Sequence, residues 1–85
     1  MTREEIQQKI IAIAAEYADK KPEEVTLASH FINDLEYDSL QVVEFTMAVE
    51  DELELSVPDE KAEELMTVGA VVDFVVEEQR VGAAR

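Results

Sequence analysis

Apolar residues recur at spacings of three and four in three stretches of the chain, and each stretch carries a start signal. In the first, Ile6, Ile10, Ile13, Ala14 and Tyr17 follow Thr2-x-x-Glu5, the pattern of a capping box. The spacing predicts a helix from Arg3 to about Ala18, with Lys20 and Lys21 suited to its C-terminal end and Pro22 closing it. A second helix opens at Asp38 or Ser39, both good N-terminal residues, and continues to about Leu53. Thr67 is placed to cap another, in which Val68, Val71, Val72, Val75 and Val76 repeat the same period. Valine favours strands, but the helical period and the lack of any turn signal from Thr67 to Arg80 outweigh that propensity. This helix is expected to fray near Arg80, leaving residues 81–85 as a disordered tail. Before it, Pro58-Asp59-Glu60 opens a short acidic helix through about Glu64, with Pro in the first turn and carboxylates where the helix dipole favours them.

From Pro22 to Tyr37 neither period is sustained. A loop of that length is unusual in a small domain and often functional. Val25, Leu27, Phe31, Ile32 and Leu35 are apolar enough to pin it to the core. The elements add up to an all-α fold, an antiparallel four-helix bundle with three long helices, one short helix and a long loop between helices one and two. It fills one domain, residues 1–80, ahead of the tail.

The second helix carries apolar residues on two sides. At about 100° per residue, Val42, Phe45, Val49 and Leu53 form one compact stripe, suited to a core, while Leu40, Val43 and Met47 fall nearly opposite. Glu44, Glu50, Asp51 and Glu54 surround that second stripe. An apolar centre with an acidic rim has the composition of a recognition surface for a basic, partly apolar partner. The alternative is a helix buried all round, which would have to bury four carboxylates as well.

Charge sharpens this. The 85 residues carry a formal net charge of −14, yet residues 1–21 sum to zero. Residues 34–64 hold twelve acids against Lys61 alone, a net of −11. Such a field repels phosphate backbones and anionic lipid surfaces, so neither nucleic acid nor membrane is an expected partner. With 47% apolar residues the chain should fold, and no apolar run approaches a membrane span. It has no Cys, hence no disulfide, thiolate metal site or Cys nucleophile, and MTREEIQQ lacks the apolar core of a signal peptide. A cytoplasmic domain is expected.

Ser39 can be read as a cap or as a reactive hydroxyl. Self-contained catalysis needs a positioned base, and the only His, His30, lies in the loop with no G-x-S-x-G elbow around the serine. His30 itself reads as a surface or hydrogen-bonding residue. An unactivated hydroxyl between a long loop and an acidic helix is instead a site for another enzyme to modify.

The run Phe31-Ile32-Asn33-Asp34-Leu35-Glu36-Tyr37-Asp38-Ser39-Leu40, followed by Val43-Glu44-Phe45 and Met47-Ala48-Val49-Glu50, resembles the acyl carrier protein family. Pro58-Asp59-Glu60, Thr67-Val68-Gly69 and Asp73-Phe74-Val75 match that family's third and fourth helices at the expected separations, so the likeness runs from about Ile6 to Val76. It implies a discrete carrier and not an enzyme. Ser39 would bear 4′-phosphopantetheine, transferred from coenzyme A by a Mg²⁺-dependent phosphopantetheinyl transferase, and the cofactor would supply the thiol that the chain lacks. Acyl groups held there as thioesters would be delivered to enzymes of fatty acid or polyketide biosynthesis. Carried over by residue, Asp38 precedes the modified serine, Leu40, Val43 and Met47 make apolar partner contacts, and Glu44, Glu50 and Asp51 meet basic docking patches on acyl-transferring and acyl-modifying enzymes. Phe31, Leu35, Phe45, Val49, Leu53, Val68, Val71 and Val75 would line the core and any acyl cavity. The carrier would act as a monomer.

Two positions depart from the family. Glu36 stands where it usually has Gly in the turn before the serine, and Glu54 where it often has Gly just after helix two. Where such glycines supply positive φ, a Glu must take a different turn or bear strain. Peptidyl carriers of nonribosomal synthetases usually show Gly-Gly before their serine motif and a less acidic second helix, which this chain lacks. The competing reading is an acidic cation-binding or protein-interaction module without a prosthetic group, although Asp51–Glu64 lacks the order of an EF-hand loop.

Overall fold

The computed structural model describes residues 2–83, ordered as α1 (Arg3–Ala18), a 3-10 turn (Pro22–Glu24), α2 (Ser39–Leu53), α3 (Asp59–Glu64) and α4 (Val68–Ala83). These are the elements expected from the sequence, with the 3-10 turn as an addition too short to leave a periodic signal. Among the described residues the one piece of β-type pairing is an isolated bridge between His30 and Thr67.

Both halves of the α1 capping box form: Thr2 Oγ1 accepts the Glu5 N–H at 3.2 Å and Glu5 Oε1 accepts the Thr2 N–H at 3.0 Å. The Thr2 backbone N–H, more than its hydroxyl, holds the Glu5 carboxyl below its ordinary range. The helix stops because Asp19 turns left-handed at φ 57°, which lets the Lys20 N–H return to Ala15 O at 2.9 Å. Lys20 and Lys21 thus lie beyond the last turn.

α1 buries Ile6, Ile10, Ala14 and Ala15 against α4 and α2, and α4 answers with Val68, Val71, Val72 and Val75. Arg3 pairs with Asp73 at one end of the α1–α4 contact. The α4 cap is the expected one, Thr67 Oγ1 accepting the Ala70 N–H at 3.2 Å. The helix does not fray at Arg80 but continues to Ala83, correcting the tail expected over those positions. No Pro interrupts it there, and an i,i+3 pair between Arg80 and Glu77, 2.8 Å apart, braces its last turns. Residues 84 and 85 of that tail lie outside the described residues.

α3 differs from the other helices in burying none of its residues. Pro58 precedes it as N-cap instead of entering the first turn, and only half-buried Ala62 and the Leu65 that follows face inward.

The long connection between α1 and α2 is pinned by buried Val25, Phe31, Leu35 and Tyr37. It also hydrogen-bonds to the linker and first turn of α4, through Phe31 N–H to Met66 O (3.0 Å), Val68 N–H to Ser29 O (3.1 Å) and Gly69 N–H to Leu27 O (2.8 Å). Gly69 is required there, since a Cβ at that position would sit 2.9 Å from Leu27 O. Ile32 does not pin the loop as expected but is 44% exposed. Phe31 and Leu35, four apart in a tight turn, take the inward direction and leave Ile32 facing out.

Candidate functional site

α2 begins with a reciprocal cap. Asp38 Oδ1 accepts the Gln41 N–H at 2.8 Å, and Gln41 Oε1 accepts the Asp38 N–H at 2.9 Å. Gln41 Nε2 also donates to Tyr17 O at 2.8 Å, tying the head of α2 to the end of α1. Sequence reasoning missed Gln41, although Asp38-x-x-Gln41 is a capping-box signature. Because Asp38 fills the cap, Ser39 becomes the first helical residue, exposed, with its hydroxyl not needed to close the helix. Ser39 is therefore not the cap of α2.

The segment entering this site is held from behind. Tyr37 is buried, its hydroxyl donates to Ala14 O at 2.7 Å, and its ring lies 5.4 Å from Phe31 and 6.0 Å from Phe45, which are themselves 4.8 Å apart. Burial, with a smaller electrostatic push from Tyr17, raises the Tyr37 pKa, so the phenol stays a neutral donor. Between buried Leu35 and Tyr37, Glu36 is exposed and left-handed at φ 56°, and Glu54 is left-handed at φ 53° after α2. The chain keeps the left-handed turns and bears the strain, of the order of 1–2 kcal/mol at each.

The two-faced character of α2 is realised. Phe45, Val49 and Leu53 are buried and Val42 half-buried, whereas Leu40, Val43 and Met47 are 66%, 53% and 61% exposed. Burial all round is overturned. Glu44, Asp51 and Glu54 are exposed around the apolar stripe. Glu50 is half-buried and already occupied, its Oε2 accepting the Val57 N–H at 2.8 Å, so it braces the α2–α3 connection as well as edging the face.

Beneath that connection lies an apolar cavity of about 20 Å³, lined by residues of α2, α3 and the loop together with Val71. Of the residues expected at such a cavity, Phe31, Phe45, Val49 and Val71 line it, while Leu35, Leu53, Val68 and Val75 belong to the core elsewhere. Val42, Thr46, Val57 and Ala62 line both this cavity and an outer groove shared with Val43 and Met47. A single layer of side chains thus separates the interior from the exposed face. Among the described residues no group of three or more His, Asp or Glu is arranged to hold a metal ion, and no helix is long and apolar enough to cross a membrane.

Residues 8–75 match the family described as "Phosphopantetheine attachment site". An acyl carrier protein of Clostridium perfringens (strain SM101 / Type A) is 46% identical over 69 residues, 81% of this chain and 91% of that protein. This chain belongs to the acyl carrier protein family. A solved structure of the acyl carrier protein from Enterococcus faecalis, described for components that contribute to its high thermal stability, has a similar fold. It matches with a TM-score of 0.77 at 42% identity, covering 91% of this chain and 98% of that one. Acyl carrier proteins are carriers and not enzymes; their cofactor is 4′-phosphopantetheine, and their partners in general are phosphopantetheinyl transferases and acyl-handling enzymes.

Proposed function

We propose that Ser39 is the attachment point of 4′-phosphopantetheine and that the chain delivers acyl thioesters to enzymes of fatty acid or polyketide biosynthesis. The observation that carries this reading is the division of labour at the head of α2. Asp38 and Gln41 close the cap, which leaves the Ser39 hydroxyl exposed at the first helical position, at the end of an anchored segment. The residues fit the group: an oxygen nucleophile is displayed with open surroundings, and the chain has no thiol of its own. In the transfer, Ser39 Oγ attacks the phosphorus next to pantetheine in coenzyme A, the pyrophosphate bond breaks, adenosine 3′,5′-bisphosphate leaves, and a base on the transferase takes the serine proton. The bound group supplies the thiol on which an acyl chain is held.

Leu40, Val43 and Met47 form the apolar centre of the docking face beside Ser39, and Glu44 and Asp51 its acidic rim for Lys and Arg of partner enzymes. Asp38 contributes by fixing the helix start and Glu50 by holding the α2–α3 connection against the rim. The cavity of about 20 Å³ holds little more than one water molecule, so an acyl chain that folds back must part α2 from α3. α3, with no buried residue, is the element able to yield. The carrier acts as a monomer in the cytoplasm, in keeping with a net charge of −14.

The test is intact mass after incubation with coenzyme A, Mg²⁺ and a promiscuous transferase. One phosphopantetheine should be gained by the native chain and none by Ser39→Ala. A chain that stays unmodified with several transferases, or a Ser39→Ala variant that is still modified, would sink the assignment.

A further inference from the structure

We infer that His30 is a proton-dependent positioning residue for the segment that leads into Ser39, an inference that rests on the reading of Ser39 as the modified residue. His30 Nδ1 accepts two backbone hydrogen bonds, from the N–H groups of Ile32 and Asn33, each at 3.1 Å. The backbone N–H of His30 donates to Asp34 Oδ2 at 2.7 Å, and its carbonyl accepts from Asp34 N–H at 2.9 Å and Leu35 N–H at 3.0 Å. One residue therefore closes both ends of the turn over residues 31–35. That turn passes directly to Glu36, to Tyr37, whose N–H returns to Phe31 O at 2.9 Å, and to the Asp38 cap.

Backbone N–H groups donate and never accept, so both bonds require a lone pair on Nδ1, which means a neutral ring with its proton on Nε2. Imidazoles take up a second proton in the range of about pH 5 to 8, and here that proton must land on Nδ1. A donor would then face two donors, and the ring must leave the turn. Asp34 is the titratable group of the turn itself. In the linker packed opposite, Met66, Thr67 and Val68 carry no charge. Protonation of Nδ1 is therefore incompatible with the two N–H bonds, and the turn yields when it occurs. What slackens is the strained stretch through Glu36 that places Ser39.

Transfer of phosphopantetheine to the full chain, followed by intact mass, separates this from a merely structural role. His30→Asn keeps a side-chain oxygen able to cap the turn but does not titrate, and His30→Ala removes the cap. The native chain should match His30→Asn in kcat/KM at about pH 8 and fall roughly tenfold behind it at about pH 5.5, the loss that goes with two hydrogen bonds. Taking the ratio cancels the transferase's own response to pH. His30→Ala should be slow at both values with no added loss in acid. In the free protein, the amide resonances of Ile32 and Asn33 should titrate with the imidazole in the native chain and stay in place in His30→Asn. Equal ratios at the two pH values, or amides that titrate alike in both proteins, overturn the inference. A native chain that gains no phosphopantetheine at any pH would instead defeat the Ser39 assignment, and the amide titration would still decide whether His30 is the proton-dependent cap.

Discussion

α1 and α3 stand at opposite ends of one physical scale. α1 is capped reciprocally, belongs to a segment of zero net charge and buries Ile6, Ile10, Ala14 and Ala15. α3 has no side-chain cap, lies in the segment of net −11 and buries nothing. The first is a scaffold held by packing. The second is a flap held by the edges of Ala62 and Leu65, with like charges working against it. On the proposed function both matter, because the head of α2 is tied to α1 through Gln41 and Tyr17, while the seam between α2 and α3 is where a returning acyl chain would enter.

The contrast is broken most strongly by truncation. Ile10→Ala, at a fully buried site, should cost about 2–5 kcal/mol, whereas Leu65→Ala beside α3 should cost only about 1 kcal/mol, both read from denaturant midpoints. Equal losses would mean that α3 is as firmly held as α1. Next in size are the left-handed glutamates. Glu54→Gly and Glu36→Gly should each stabilise by about 1 kcal/mol, because glycine adopts φ near 55° without the Cβ clash. Glu54→Gln, which removes charge but keeps the clash, should recover only part of that gain. Screening is of the same order. Moderate salt or millimolar Mg²⁺ should raise Tm by on the order of 5 °C, the shift that about 1 kcal/mol produces in a domain of this size. In a Glu60→Gln, Glu63→Gln variant that rise should shrink. An unchanged Tm would show that the acids are already compensated.

Much of this is legible in the sequence alone. The α1 capping box, the Thr67 cap, the bounds of α1 and the two faces of α2 depend on residues three or four apart on one element, so periodicity and cap chemistry are enough to find them. The head of α2 was only half legible. Asp38 and Ser39 both suit a helix start, and choosing between them turns on Gln41, whose two bonds reach Asp38 and Tyr17. The outward side of Ile32 is not legible, because a short turn has no period from which to read it. Gly69 gave no local sign of its role, which comes from Leu27 O on a distant loop.

By itself the sequence determined that this is an acidic helical carrier with Ser39 at the head of a two-faced helix, since those features are written in spacing, charge and a contiguous motif. Only the tertiary structure decided which oxygen caps α2, that Glu36 and Glu54 keep left-handed turns, that Glu50 braces a connection, and that His30 accepts two backbone N–H groups. Each of these depends on where a side chain or a backbone angle ends up after neighbouring segments have packed.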